Sequence, residues 1–293
     1  FEPGSTMKIF SAAAALENGA TTPNTIFYCE NGTYAIGHHT VHDTKSYGWL
    51  SLQQIVKYSS NIGAVKVVEK IGSRALFETL QEFGFGDRTN IDCPGESPGL
   101  LSHYKRWSAM DAGAIAFGQG VSVSGLQLIT AVAALANDGL MMKPYIVQAV
   151  TDPNGRPIRT IEPVAVKQVV SVGTAHQVRR IMHSVITEGG TGVEADLDGY
   201  NVSGKTGTAQ KIEPNGQYAH NKYVASFVGF APTERPALAA IVVVDEPRDI
   251  YYGGTVAAPA FKRIIKDALS YLNIAPSDGL QKLRVSRDVK VSG

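Results

Sequence analysis

Near the start of the chain, Ser5-Thr6-Met7-Lys8 sets a hydroxyl and an amine at i and i+3, neighbours on one face of a helix. Ser5 falls at the N-terminus of that helix, where free N–H groups and partial positive charge favour developing negative charge. A serine becomes a nucleophile when a base takes its proton, and a desolvated lysine is such a base. The same pair also reads as a helix cap beside a solvated lysine, and Ser102-His-Tyr-Lys105 repeats the pattern. Ser59-Ser60-Asn61 supplies a hydroxyl and a carboxamide at i and i+2 between two predicted helices. Taken alone, local cap hydrogen bonds account for that triplet. Lys205-Thr206-Gly207-Thr208 opens a predicted strand. Period-two alternation puts Thr206 and Thr208 on one face. Two hydroxyls beside an ammonium would receive a carboxylate, and Gly207 removes side-chain bulk between them.

Positioning these groups falls to a run of helices followed by strands. A helix is predicted over 5–18, Ala-rich and stopped by Gly19. Residues 20–50 read as loop with short strands. Ser51 and Gln54 form a capping-box pattern opening a helix to about Tyr58. The poor helix formers Ser59, Ser60 and Asn61 break it before further helices over 62–71 and 73–83. The Gly-rich stretch 84–123 reads as irregular. Ser124 caps a helix that ends at Gly139, and Pro153-Asn-Gly155 turns a hairpin between 145–151 and 157–162. An amphipathic helix covers 173–187. Strands over 203–212, 222–231 and 237–245 have short links, so they are antiparallel neighbours, and a last helix covers 255–272. Helices first and an antiparallel sheet late is a segregated α+β pattern.

Composition narrows the function classes. The 293 residues suffice for one large domain or two ordinary ones. Lys plus Arg is 27 against 26 Asp plus Glu, a net charge of +1, so no basic footprint for nucleic acid is present. No apolar run reaches the ~18 residues of a membrane span. Cys29 and Cys93 are too few for a disulfide scaffold or a four-cysteine zinc site. His38, His39, His42 and Asp43 cluster in one segment, which reads as a surface loop in preference to a metal site. Gly199-Tyr-Asn-Val-Ser-Gly204-Lys205-Thr206 matches the phosphate-binding P-loop letter for letter. Its context opposes that reading: polar residues 194–199 precede it, and a Pro-Asn-Gly turn follows where a P-loop requires a helix. A Gly-x-Ser-x-Gly nucleophile elbow is also lacking.

Ser-x-x-Lys, Ser-x-Asn and Lys-Thr-Gly, in that chain order, form the active-site set of serine penicillin-binding proteins and related β-lactamases. With Phe1-Glu-Pro-Gly-Ser-Thr-Met-Lys8, Tyr58-Ser-Ser-Asn-Ile-Gly63, Arg106-Trp-Ser108, Phe117-Gly-Gln-Gly-Val121, Lys205-to-Lys211, Tyr223-to-Pro232 and Tyr251-Tyr-Gly-Gly254, the chain resembles the transpeptidase domain of class B, monofunctional penicillin-binding proteins. It most resembles the cell-division subgroup. The likeness spans roughly 1–275, and 276–293 is left as a polar tail. It implies the penicillin-binding fold, an antiparallel sheet flanked by helices plus an all-helical subdomain.

The resemblance also implies a peptidoglycan D,D-transpeptidase. Ser5 would attack the D-Ala-D-Ala end of a stem peptide, with Lys8 as base. Ser59 would relay a proton to the leaving amine with help from Lys205. Asn61 would hold the donor peptide and Lys8, and Thr206, Gly207 and Thr208 would receive the terminal carboxylate. The backbone N–H groups of Ser5 and Thr208 would form the oxyanion hole, and β-lactams would acylate Ser5. No cofactor or metal is implied. A periplasmic location, an upstream membrane anchor and partners in a division glycosyltransferase and other divisome proteins are. A β-lactamase, carboxypeptidase or β-lactam sensor would share the motifs, but no Glu-x-x-Leu-Asn deacylation signature is present. Family members carry strands ahead of the nucleophile, and those strands would cover the apolar segment 238–244. The sequence is therefore expected to be a fragment lacking its opening strands.

Overall fold

The computed structural model describes residues 1–213 and 215–276. A 3₁₀ turn at Gly4–Met7 runs straight into α1 (Lys8–Glu17). From Lys8 to Leu16 every residue of α1 is buried; its run of alanines lets neighbouring helices approach closely. Short strands follow, β1 (Ile26–Tyr28), β2 (Thr33–Ile36), β3 (His39–His42) and β4 (Trp49–Ser51), paired β1 with β4 and β2 with β3.

The Ser51–Gln54 capping box forms with both of its hydrogen bonds and starts α2 (Leu52–Tyr58). Ser59 ends α2 in the left-handed conformation, and Ser60 caps α3 (Asn61–Ile71) by accepting from the Gly63 N–H. α4 (Ser73–Glu82) follows directly. The stretch that reads as irregular contains α5 (Ala109–Ala116), introduced by a Ser108–Asp111 capping box. Two turns with a central glycine give little periodicity to read, and Gly113 is there for packing: an added Cβ would lie 3.3 Å from Ile36 and Val65. α6 (Gly125–Ala136) has a third capping box, Ser124 with Gln127.

Beyond it come β5 (Leu140–Met142), the hairpin β6 (Ala149–Thr151) and β7 (Pro157–Thr160), and β8 (Ala165–Gln168), which returns to pair with β5. The β5–β8 pair, three and four residues long, has no sequence signal. α7 (Val172–Ser184) then leads to the main sheet.

That sheet is antiparallel, ordered β11–β10–β9, from β9 (Ser203–Ile212), β10 (Tyr218–Ala231) and β11 (Leu238–Asp245). Alternation along β10 divides the core in two. Val228 and Phe230 join a large cluster built on α1, α3 and α6, while Phe227 and Ala231 join a second cluster with α9 (Ala258–Tyr271), which follows the short α8 (Gly253–Val256). β11 follows the same rule, with Ala239 and Ile241 toward the first cluster and Ala240 and Val242 toward the second. The α+β expectation therefore holds, with the sheet between two helical layers. The resemblance places further strands beside β11. Among the described residues β11 is the outer strand, with Val243 40% exposed. The polar tail from 277 onward lies outside the described residues.

Candidate active site

Three elements meet where the first cluster joins the sheet: the nucleophile turn, the α2–α3 junction and β9. The Lys8 Nζ lies 3.0 Å from the Ser5 Oγ, 3.1 Å from the Ser59 Oγ, 2.6 Å from the Ser59 carbonyl and 2.7 Å from the Asn61 Oδ1. From the opposite side the Lys205 Nζ approaches the same Ser59 Oγ at 3.0 Å and the Thr206 Oγ1 at 3.2 Å. Ser59 Oγ is thus shared by two amines whose residues are 1% and 0% exposed.

Burial sets the charge of both lysines. It pulls the Lys8 ammonium down to about 7, against the opposing pull of the Asp43 carboxylate. Burial likewise pulls Lys205 well below the usual lysine range, and repulsion from Lys8 adds to it. Two ammonium groups sharing one hydroxyl in a low-dielectric site do not both stay charged.

Thr206 and Thr208, the residues expected to receive a carboxylate, sit as alternation requires. Thr206 and Thr208 both face a cleft of about 1010 Å³ that Ser5, Ser59 and Asn61 also line. The Thr206 Oγ1 donates to the Thr191 Oγ1, and the Thr208 Oγ1 accepts from the Gly253 N–H at the start of α8. With its lone pair so engaged, the Thr208 hydroxyl is left to donate into the cleft. Gly207 has a steric reason: a Cβ there would lie 2.3 Å from the Ser226 Oγ and 2.9 Å from the Pro3 carbonyl. The strand and the nucleophile segment are packed backbone to backbone. Tyr223 stacks on Tyr251 with centroids 3.9 Å apart, and both rings line the cleft.

The structure gives Asp43 a place that the sequence does not reveal. Its carboxylate accepts from the Ser60 hydroxyl at 2.6 Å and from the Asn61 and Ile62 N–H groups. This fixes the start of α3 and with it the Ser59–Asn61 junction. The Asn61 Nδ2 donates to the His42 carbonyl, so the amide oxygen is turned toward Lys8. Asp43 and the His42 carbonyl therefore support the site, while the His38, His39 and His42 side chains are exposed, in line with a surface segment. Among the described residues no group of three His, Cys, Asp or Glu could hold a metal ion.

No local signal marks Asp43, because 17 residues separate it from Ser60. The second Ser-x-x-Lys match carries no such surroundings: Ser102 accepts from the Trp107 indole. Lys205 and Thr206 lie within an antiparallel strand, which removes the P-loop reading. Cys29 and Cys93 are both free thiols, one buried and one exposed.

A serine held against a buried lysine, with a Ser-x-Asn junction and a Lys-Thr-Gly strand closing the cleft, is the arrangement expected of the penicillin-binding class. The family model for the penicillin-binding protein transpeptidase domain matches residues 1–266, and the chain belongs to that family. Stage V sporulation protein D of Bacillus subtilis is 39% identical over 280 residues, covering 94% of this chain and 43% of that protein. The probable peptidoglycan D,D-transpeptidase PenA of Neisseria flavescens is 37% identical, covering 95% of this chain and 66% of its own. The chain thus spans less than two thirds of the length of these curated relatives. Penicillin-binding protein 3 of Mycobacterium tuberculosis, solved in complex with aztreonam, superposes with a TM-score of 0.86 at 32% identity, covering 94% of this chain and 64% of that one.

Proposed function

We propose that this chain is the catalytic domain, roughly 1–275, of a peptidoglycan D,D-transpeptidase that cross-links stem peptides through a Ser5 acyl-enzyme. The observation that carries the reading is the Lys8 Nζ, 3.0 Å from the Ser5 Oγ and lowered to about 7. A neutral lysine has two N–H donors and one lone pair. Its shortest contacts are to two pure acceptors, the Ser59 carbonyl and the Asn61 Oδ1. Once these take the two donors, the lone pair is left for the Ser5 hydroxyl proton.

Catalysis follows from that arrangement. As the Ser5 Oγ bonds to the carbonyl carbon between the last two D-alanines, its proton passes to Lys8. The N–H groups of Ser5 and Thr208 receive the developing oxyanion, each such donor being worth ~3 kcal/mol. The Thr208 hydroxyl donates to the terminal carboxylate beside Gly207, and the Thr206 hydroxyl joins it by turning from Thr191. Ser59 delivers its proton to the departing amine as the carbon–nitrogen bond breaks and is resupplied with the proton that Lys8 took from Ser5, with the Lys205 Nζ also in contact with its hydroxyl. Asn61 holds the donor peptide and keeps Lys8 in line. An amine of a neighbouring stem peptide then attacks the ester, Lys8 accepts its proton and passes it to the Ser5 Oγ as the ester carbon–oxygen bond breaks, and Ser5 is released as the hydroxyl.

β-Lactams enter as mimics of the D-Ala-D-Ala end, in keeping with the aztreonam complex of the structural relative. The setting that fits this substrate is the extracytoplasmic face of the bacterial inner membrane, with an anchor outside these residues. No helix among the described residues is long and apolar enough to cross a membrane. Septal wall synthesis, beside a division glycosyltransferase and other divisome proteins, is the setting we favour.

Incubation with fluorescent penicillin tests the reading. The domain is expected to take up one stable covalent label, and Ser5→Ala none. Equal labelling of Ser5→Ala overturns the assignment of the nucleophile, and rapid release of label identifies a hydrolase instead.

A further inference from the structure

Glu2 precedes the nucleophile by three residues but does not line the cleft. It is 8% exposed. Its Oε1 accepts from the Gly120 N–H at 2.7 Å and from the Tyr218 hydroxyl at 3.3 Å, while its Oε2 is buried with no hydrogen-bond partner among the described residues. Burial pushes the carboxyl above the usual range, and the Gly120 and Tyr218 hydrogen bonds only partly oppose this. A buried carboxyl with one unsatisfied oxygen is costly to keep and calls for an explanation.

The explanation lies in what the other oxygen joins. The Gly4 N–H donates to the Gly118 carbonyl at 3.1 Å, and two residues on the Gly120 N–H donates back to Glu2. The 118–120 turn is therefore fastened to the 2–4 segment at both ends, and Gln119 between the fastenings lines the cleft. Tyr218 begins β10 and pairs with Ile212 of β9, the strand that carries Lys205, Thr206 and Thr208. One carboxylate oxygen thus ties the segment that carries Ser5 to two separate parts of the cleft wall.

We propose that Glu2 is a positioning residue for acylation, clasping the 118–120 turn and the β9–β10 hairpin onto the segment that carries Ser5. The proposal rests on the reading of Ser5 as the nucleophile. Glu2 acts by setting the gap between Ser5 and the strand that completes the oxyanion site, so its loss slows the chemical step more than it weakens capture of the β-lactam.

Stopped-flow acylation by fluorescent penicillin separates the saturating rate from apparent affinity, with thermal unfolding of each variant alongside. Glu2→Ala is expected to lower the saturating rate about tenfold or more, with affinity changed by less than about threefold. Glu2→Gln keeps the accepting oxygen and is expected to stay within about threefold of the parent. Tyr218→Phe removes one contact at a partly exposed residue and is expected to slow acylation about threefold at an unchanged melting temperature. Parental rates in both Glu2→Ala and Tyr218→Phe overturn the proposal. So does Glu2→Gln as slow as Glu2→Ala, since charge would then be the cause. Should Glu2→Ala not fold, the other two variants decide. A parent that takes no label, or a Ser5→Ala that labels equally, instead removes the reading on which the proposal rests.

Discussion

In the proposed reaction Lys8 acts as a base because of its environment and not its type. The neutral amine is the active form, so the acylation rate should rise with pH to a plateau through an apparent value of about 7. Below that value it should fall about tenfold per pH unit; a profile flat from pH 5 to 9 would remove the general-base role. Asp43 modulates this from a distance. Its carboxylate favours the ammonium form of Lys8, so Asp43→Asn should move the midpoint of the profile to lower pH. The same change weakens three hydrogen bonds at the start of α3. It should cost about 1–3 kcal/mol in chemical denaturation, and a midpoint moving upward would contradict the sign.

Among the elements, the 118–120 turn and the helix starts respond to substitution in opposite directions. Gly118 has φ +86°, and an added Cβ would fall 2.1 Å from the Gly4 carbonyl oxygen. Gly118→Ala should therefore cost on the order of 3–5 kcal/mol and displace the nucleophile turn, which loss of penicillin labelling would report. Gly125 opens α6, and an added methyl there would meet nothing within 4 Å. Gly125→Ala should raise stability by about 0.5–1 kcal/mol by reducing unfolded-chain freedom. The two melting curves, taken together, distinguish close backbone approach from helix propensity.

For the molecule as a whole, the cleft lies at the junction of two apolar clusters divided by one sheet. Phe227 in β10 packs on Phe261 of α9 with ring centroids 4.7 Å apart. On its other side the Phe227 ring closes on Gly204, where a Cβ would come within 2.4 Å. The back layer thereby supports the strand that holds Lys205. Phe261→Ala should cost about 3–5 kcal/mol and slow acylation, although the residue does not line the cleft. Unchanged labelling kinetics in a destabilised variant would show the two layers to be independent.

The sequence by itself determined what depends on near neighbours along the chain. The capping box at Ser51, the helix cap at Ser124, the broken helix at Ser59–Asn61 and the alternation in β9 to β11 are set within about four residues, and each was legible. The three motifs were legible for the same reason, since each is a local constellation; their order along the chain carried the family resemblance. α5 was missed although Ser108 and Asp111 obey the same capping rule, because eight residues with a central glycine give too little periodicity. Only the tertiary structure decided which side chains share one environment. It placed two lysines on one serine hydroxyl, moved Asp43 from a histidine-rich segment to the start of α3, and set Glu2 between Gly120 and Tyr218. Desolvation and Coulomb interaction depend on distance in space, and these partners are 17 to 216 residues apart in the chain. The residue types in the site were therefore readable in the sequence, whereas the lowered proton affinity of Lys8, on which its proposed role as a base depends, arises from burial in the folded chain.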